Sequence, residues 1–384
     1  MDVAEFDFEL PDELVAQEPP SQRGASRLLV VDRATDQLRD TTFAALPDFL
    51  SPGDLLVLNN TRVFPARLLG HRTPSGGGVE CLLLRELPTP NTQLPISTGA
   101  PLNDLNRALT EHDLLGSWKV EVGSSQFWEA LVHPGQKLKP GARMVFEGEG
   151  IALHGEILDR HFHGRRTVRL WREDGGAVTD AVDRLGHIPL PPYIKRDDAL
   201  SDRERYQTVY AQHRGSVAAP TAGLHFTAQL LEQLAARGVQ RTEITLHVGY
   251  GTFKPVRVDR VEDHVVDPEV FTIPEDAAAA ISRALRDNRR VIAVGTTTTR
   301  ALESLAVDTD RRVHPSTGTT QLFIHPGHRF AIVQGLITNF HLPRSSLLML
   351  VAAFAGRDRV LDAYRHAVAE RYRFYSYGDA MLVV

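Results

Sequence analysis

A single cysteine, Cys81, stands in 384 residues. It lies inside the apolar run 79–84, so neither a disulfide framework nor a thiolate zinc site can be assembled, and a reducing compartment is expected. No apolar run reaches the ~18 residues of a membrane span, and the N-terminus lacks a basic stretch followed by an apolar core and a cleavage site. A cytoplasmic protein with no membrane partner is therefore expected. Positive charge is also scarce: 43 Lys and Arg face 48 Asp and Glu, a net charge of -5. That argues against a general nucleic-acid binder, whose sequence-independent affinity comes from cations neutralising phosphates. Residues 62–179 are the exception, with fourteen Lys or Arg against thirteen Asp or Glu. Within them, Arg160, His161, Phe162, His163, Arg165 and Arg166 alternate cations and an aromatic between two expected strands. This is either a basic contact patch or a solvated hairpin tip.

Several signatures are missing as well. There is no GxxxxGK[ST] phosphate loop, no HExxH metal motif and no GxSxG nucleophile elbow. Gly249-Tyr250-Gly251 lacks the third glycine of a dinucleotide fingerprint. Sixteen histidines together with Asp263, Asp267 and Glu269 raise a metal-dependent hydrolase as an alternative, but their spacing does not support a ligand set, and no metal is expected.

What is present divides into two grammars. Residues 66–172 read as short strands separated by Gly and Pro turns, a small closed barrel or a sandwich. Past residue 180, helices alternate with strands, the sign of an α/β layer. Residues 27–42 read as a hairpin, 43–50 as a helix and 55–58 as a buried strand. The opening ~60 residues are too few for a domain of their own. The expectation is a mixed α/β chain with a discontinuous α/β domain of residues 1–61 plus 180–384 and an insertion at 62–179. The segment 87–116 fits no strand and reads as an elaborated loop.

Function concentrates in RYQTVYAQHRGSVAAPTAGLHFT (205–227) and LHVGYGTF (246–253). Gln207, Thr221, His225, His247 and Thr252 crowd around Gly223, Gly249 and Gly251, where backbone can approach a ligand and imidazoles can move protons. The strand 291–294 runs into Gly295-Thr296-Thr297-Thr298-Thr299-Arg300, a helix start suited to a carboxylate or phosphate. Thr338, Asn339 and His341 interrupt an apolar stretch and need partners, either backbone or ligand.

Taken with FDFELPDELVAQEPP, GDLLVLNNTRVFPARLLG, GHIPLPPYIKR, ERYQTVYA, VGTTTTRALES, GLITNFHLPRSSLLMLVAAFAG and YRFYSYGDAML, these segments resemble the S-adenosylmethionine:tRNA ribosyltransferase-isomerase family of queuosine biosynthesis over nearly the whole chain. The resemblance implies an α/β domain with an inserted antiparallel β-barrel. It further implies transfer and isomerisation of the ribosyl part of S-adenosylmethionine onto 7-aminomethyl-7-deazaguanine at the wobble position of a tRNA with a GUN anticodon. Adenine and methionine leave, the product is epoxyqueuosine, no cofactor is held, and a monomer is expected. On this reading His225, His247, His264 and Glu269 are candidates for proton transfer. Thr296, Thr297, Thr298 and Arg300 would hold the methionine carboxylate or a phosphate, and Asn339 and His341 the adenine or ribose. Tyr206, Phe226, Phe253 and Tyr377 would stack on flat rings, with Arg62 and Asp379 as further substrate contacts. Arg160, Arg165, Arg166, Lys195 and Arg196 would meet the tRNA backbone. The chain departs from the family pattern at Asn60, where an acidic residue is usual, at Asp267 in place of a second His, and at Tyr250 in a glycine loop.

Overall fold

The structure, a computed structural model, describes residues 1–89 and 125–384, except the side chain of Phe253. Residues 118–123 of the β-rich run and most of the 87–116 segment lie outside the described residues. The chain forms two compact units, Met1–Phe64 with Ile188–Val384, and Pro65–His187. The junctions thus fall at 64/65 and 187/188, beyond the 61/62 and 179/180 read from the sequence. The reason at the second junction is the helix Val178–Leu185, which packs against the smaller unit, with Leu185 beside Gly148.

The larger unit is built on a nine-stranded sheet in the order Ser316–Thr320, Glu269–Ile273, Gln240–Leu246, Leu55–Asn59, Val291–Val294, Gly335–Asn339, Ala380–Val383, Arg27–Val31, Leu38–Thr42. The four strands from Gln240–Leu246 to Gly335–Asn339 run parallel. Those at Leu55–Asn59, Val291–Val294 and Gly335–Asn339 are buried at every residue, as strands covered on both faces must be. The period-two alternation sorts them between two cores. Leu55, Val57, Val291, Ala293 and Leu336 join the core under the helices Glu275–Arg286, Ser346–Ala355 and Arg357–Ala369. Leu56, Leu58, Ile292, Val294 and Ile337 join Phe43, Phe226, Leu230 and Leu234 on the opposite face.

One local expectation changes. Residues 43–50 form a short 3-10 helix, Phe43–Asp48, around Pro47, whose missing N–H cannot extend an α-helix. The C-terminal run supplies an interior strand, Ala380–Val383, antiparallel to Gly335–Asn339 and parallel to Arg27–Val31. That pairing ties the opening hairpin to the C-terminal half.

The smaller unit is a closed six-stranded antiparallel barrel in the order Arg165–Trp171, Gln126–His133, Gly78–Leu87, Arg67–Thr73, Arg143–Gly148, Ile151–Arg160. In Arg165–Trp171 every second residue is buried, the alternation expected of a wall with one side packed inward. Leu83, Phe146, Leu153, Ile157 and Val168 are among the residues that fill it.

Candidate active site

Four parallel strands direct their carboxyl ends to one edge of the sheet, and the two antiparallel strands Glu269–Ile273 and Ala380–Val383 begin there. This explains why residues far apart in sequence meet. Asn59 to Thr61, His247 to Gly249, Gly295 to Thr297, Asn339 to His341, Glu269 and Tyr375 to Asp379 all follow or precede strand ends on that edge, the place where open α/β sheets bind ligands. A second, two-stranded parallel ribbon, Thr61–Val63 with His213–Ser216, borders it.

A cavity of about 510 Å³, counted with its open mouth, lies at this edge. Thr221, Thr252, Thr296, Thr297, Thr338, Asn339, His341, Tyr193, Tyr375 and Ser376 supply its polar wall, and Ala218 to Pro220, Ala222, Val248 and Leu347 the apolar part. Gly295, with φ +95°, turns the strand Val291–Val294 directly into the helix Thr296–Glu303. The first N–H groups of that helix have no intrahelical partner and carry the positive end of its dipole. The Thr298 hydroxyl donates to Val294 O (2.6 Å) and the Thr299 hydroxyl to Gly295 O (3.1 Å), so Thr296 and Thr297 are the members of the threonine run that face the cavity.

The histidines separate into distinct roles. His341 lies in the cavity wall, 2.8 Å from the Thr338 hydroxyl, and burial pushes it down to about 3. His225 stands behind Asn339 at 3.2 Å, with its other nitrogen 2.9 Å from Ser26 Oγ; burial first, then the Arg23 guanidinium, push it down to about 4. His247 meets the Thr61 hydroxyl at 2.8 Å and packs over Gly215, beside the cavity wall rather than in it. Its pKa is lowered by burial and then by His213. His264 lies edge-on to Phe323, away from the cavity-lining residues, and burial lowers it too.

Other candidates are committed to the fold. Glu269 forms a buried ion pair with Arg300 (2.7 Å), and its other oxygen accepts from Gly249 N and the Thr252 hydroxyl. Neither Glu269 as a free base nor Arg300 as a carboxylate clamp fits that arrangement. Gln207 bonds both the N–H and the carbonyl of Val63. Gly223 abuts Tyr210, and Gly251 abuts Asp267. Phe226 packs edge-on to Phe43 in the core, and Tyr206 edge-on to Tyr377. Tyr377 donates to Asp202, and Asp379 accepts from the backbone of Arg27 and Arg373. None of these aromatic rings faces the cavity. Arg62 is exposed on the bordering ribbon, and the Phe253 side chain lies outside the described residues. Asn60 accepts from Thr245 and donates to Glu243, while Asp267 pairs with Lys254 at 2.6 Å. These contacts give two of the three departures from the family pattern, Asn60 and Asp267, structural partners.

The basic candidates divide in the same way. Arg166 is buried and donates to the carbonyls of Leu138, Arg165 and Gly135. Arg165 pairs with Glu129, and Arg196 with Asp202 and Glu18. Arg160 and Lys195 are exposed, and Phe162 beside Arg160 is 89% exposed.

Tyr193, Tyr375 and Ser376 lie in segments that carry the family resemblance, but neither they nor Ser26 are site candidates from sequence alone, and tertiary structure brings them to the site. Tyr375 sits at φ +73°, a conformation rare for a bulky residue and often found where structure is held for function. Among the described residues no three His, Cys, Asp or Glu side chains converge as a metal-ligand set.

Fold and site together define a two-unit α/β protein with a polar-walled cleft at the carboxyl edge of its sheet and an inserted barrel. The profile described as queuosine biosynthesis protein matches residues 3–383. The S-adenosylmethionine:tRNA ribosyltransferase-isomerases of Desulfitobacterium hafniense and Solibacter usitatus are 46% and 49% identical, each with all of both chains covered. The crystal structure of S-adenosylmethionine tRNA ribosyltransferase from Thermotoga maritima matches 99% of this chain and 100% of its own at 34% identity, with a TM-score of 0.50. The chain belongs to the queuosine biosynthesis family of S-adenosylmethionine:tRNA ribosyltransferase-isomerases.

Proposed function

We propose that this enzyme transfers and isomerises the ribosyl moiety of S-adenosylmethionine onto 7-aminomethyl-7-deazaguanine at the tRNA wobble position, yielding epoxyqueuosine with release of adenine and methionine. The observation that carries the reading within the family is the cavity wall. It offers hydroxyls, an amide, a neutral imidazole and two tyrosine rings, and among its described lining residues none is charged at neutral pH.

S-adenosylmethionine entering this cavity brings two formal positive charges, the sulfonium and the methionine α-ammonium, to a wall whose described lining side chains supply none. Tyr193 and Tyr375 offer ring faces of the kind that attract such a cation. The first N–H groups at Thr296 and Thr297 suit the methionine carboxylate. The sulfonium acidifies the C5′ protons; removing one neutralises the sulfur centre and places the positive charge on the base. We assign that step to His341, a neutral imidazole in the wall and, from the sequence alone, a candidate substrate contact, and exclusion of water would hold the two substrates in register. Adenine then departs, its bond to C1′ broken and its nitrogen protonated. The aminomethyl nitrogen forms the new bond to C1′ and gives up a proton. The C5′–S bond breaks as the sugar rearranges, its electron pair leaving with methionine as a neutral thioether. Neither a metal nor a tightly held cofactor is called for, since S-adenosylmethionine is consumed as a substrate. Arg160 and Lys195 are the exposed cations left for the tRNA backbone. GUN anticodons, a monomeric state and a cytoplasmic location complete the proposal.

The test incubates the protein with S-adenosylmethionine and tRNA carrying the deazaguanine precursor, with and without chelator. Free adenine and a heavier wobble nucleoside are expected in both arms. Absence of adenine release with precursor tRNA would overturn the activity. Loss of turnover with chelator would overturn the metal-free part alone.

A further inference from the structure

Asn339 ends the strand Gly335–Asn339, is 3% exposed and lines the cavity. Its amide nitrogen lies 2.9 Å from the carbonyl oxygen of Tyr375 and 3.2 Å from Nε2 of His225. A carbonyl oxygen can only accept, so the nitrogen must face Tyr375; a flipped amide would set two acceptors against each other. The second N–H of the same nitrogen then points to His225 Nε2, which must be the unprotonated ring nitrogen. The ring proton therefore sits on Nδ1 and is donated to Ser26 Oγ at 2.9 Å. Protonating Nε2 would place donor against donor and break the contact with Asn339. Both ring nitrogens of His225 are thus occupied inside the protein, and the ring is absent from the cavity wall.

The amide oxygen is left over. Asn339 Oδ1 is buried and has no hydrogen-bond partner, although its residue lines the cavity. A buried acceptor without a donor is costly to keep, and native structures keep one chiefly where something else supplies the donor.

We infer that Asn339 Oδ1 is the acceptor for a hydrogen-bond donor of the nucleoside, either the adenine 6-amino group or a ribose hydroxyl, and that Ser26 and His225 are positioning residues holding the amide in that orientation. The inference rests on the S-adenosylmethionine reading of the cavity. It replaces proton transfer by His225 with a fixed, neutral relay from Ser26 through His225 to Asn339. It also gives Asn339 a sign: the residue selects donors and rejects acceptors.

Binding of S-adenosylmethionine, its 6-oxo analogue and its 2′- and 3′-deoxy analogues to the full chain by calorimetry tests this. The protein should disfavour one of these analogues by about tenfold or more, the 6-oxo compound if adenine is the donor and a deoxy compound if ribose is. Asn339→Ala should lose that discrimination, and Ser26→Ala, the milder change, should reduce it. Equal binding of all four ligands, or discrimination that survives in Asn339→Ala, would overturn the assignment. His225→Gln places an acceptor near the position of Nε2 yet cannot shuttle a proton. Its turnover should exceed that of His225→Ala by about tenfold, whereas proton transfer by His225 makes the two equally poor. A protein that binds no S-adenosylmethionine at all would remove the parent reading, a result distinct from either failure.

Discussion

Glu269 and Arg300 meet at 2.7 Å with less than a tenth of either side chain exposed, and the pair joins the strand Glu269–Ile273 to the helix Thr296–Glu303. The second carboxylate oxygen of Glu269 holds Gly249 and Thr252, so one ion pair secures the glycine loop and the threonine helix that flank the cavity. Removing one partner strands a buried charge. Arg300→Met should lower unfolding free energy by about 3–5 kcal/mol, and Glu269→Leu combined with Arg300→Met should recover part of the loss. Urea denaturation reads both; a single-variant cost below about 1 kcal/mol would show the pair to be solvated.

Stability should depend on pH through His225 and His341, lowered by burial to about 4 and about 3. A depressed imidazole pKa means that between the native value and the unfolded ~6.5 the unfolded chain binds a proton the native one does not. The contribution is complete above pH ~6.5 and is lost as pH falls toward 4 and 3, at up to about 1.4 kcal/mol per pH unit for each ring. His225→Gln and His341→Gln should each flatten the curve between pH 6 and 4. An unchanged slope in both variants would show that the rings titrate alike in the folded and unfolded chains.

Gly295 isolates backbone strain from crowding. Its φ is +95°, yet an added Cβ would meet nothing closer than 3.8 Å. Gly295→Ala should therefore cost about 1–3 kcal/mol, the backbone strain of an L-residue held at φ +95° and ψ 152°, a region kept almost entirely to glycine. A much larger loss in thermal unfolding would mean the turn itself rearranges.

Arg166 and Arg160 sit six residues apart at one hairpin and should behave differently. Arg166 donates to three carbonyls inside the barrel unit, so Arg166→Met should destabilise that unit by ~2 kcal/mol or more while leaving the salt dependence of tRNA binding unchanged. Arg160→Glu with Lys195→Glu should leave stability within about 0.5 kcal/mol. It should also reduce the slope of log affinity on log salt by roughly 0.7–0.9 for each phosphate that is no longer neutralised. An unchanged slope would take both residues off the tRNA surface.

Much of the fold was legible. The all-apolar runs at 55–58 and 291–294 read as buried strands because a strand covered on both faces cannot alternate. The Gly and Pro turns at short intervals marked the β-rich insertion for the same kind of local reason. Residues 380–383 carried no expectation, because what makes them a strand is pairing with Arg27–Val31 and Gly335–Asn339, the former at the opposite end of the chain. The candidate site was legible as a set of residues and largely illegible as a set of roles. Thr296, Thr297, Thr252, Asn339 and His341 do share a cavity wall, whereas Arg300, Glu269, Gln207, Phe226 and Tyr377 are held by internal partners that sequence spacing cannot reveal.

Residue types and local order by themselves determined which strands are buried, where the chain changes from β-rich to α/β, and that hydroxyls and imidazoles gather at strand ends. Those properties depend on neighbours within a few positions. Which of those groups stay free for a substrate was decided by tertiary structure. A carboxylate, guanidinium or imidazole becomes a tool or a strut according to the partner that folding places against it. Here Arg300 found Glu269, Arg166 found the carbonyls of Gly135 and Leu138, and His225 found Ser26 and Asn339, each across a separation that no local pattern encodes.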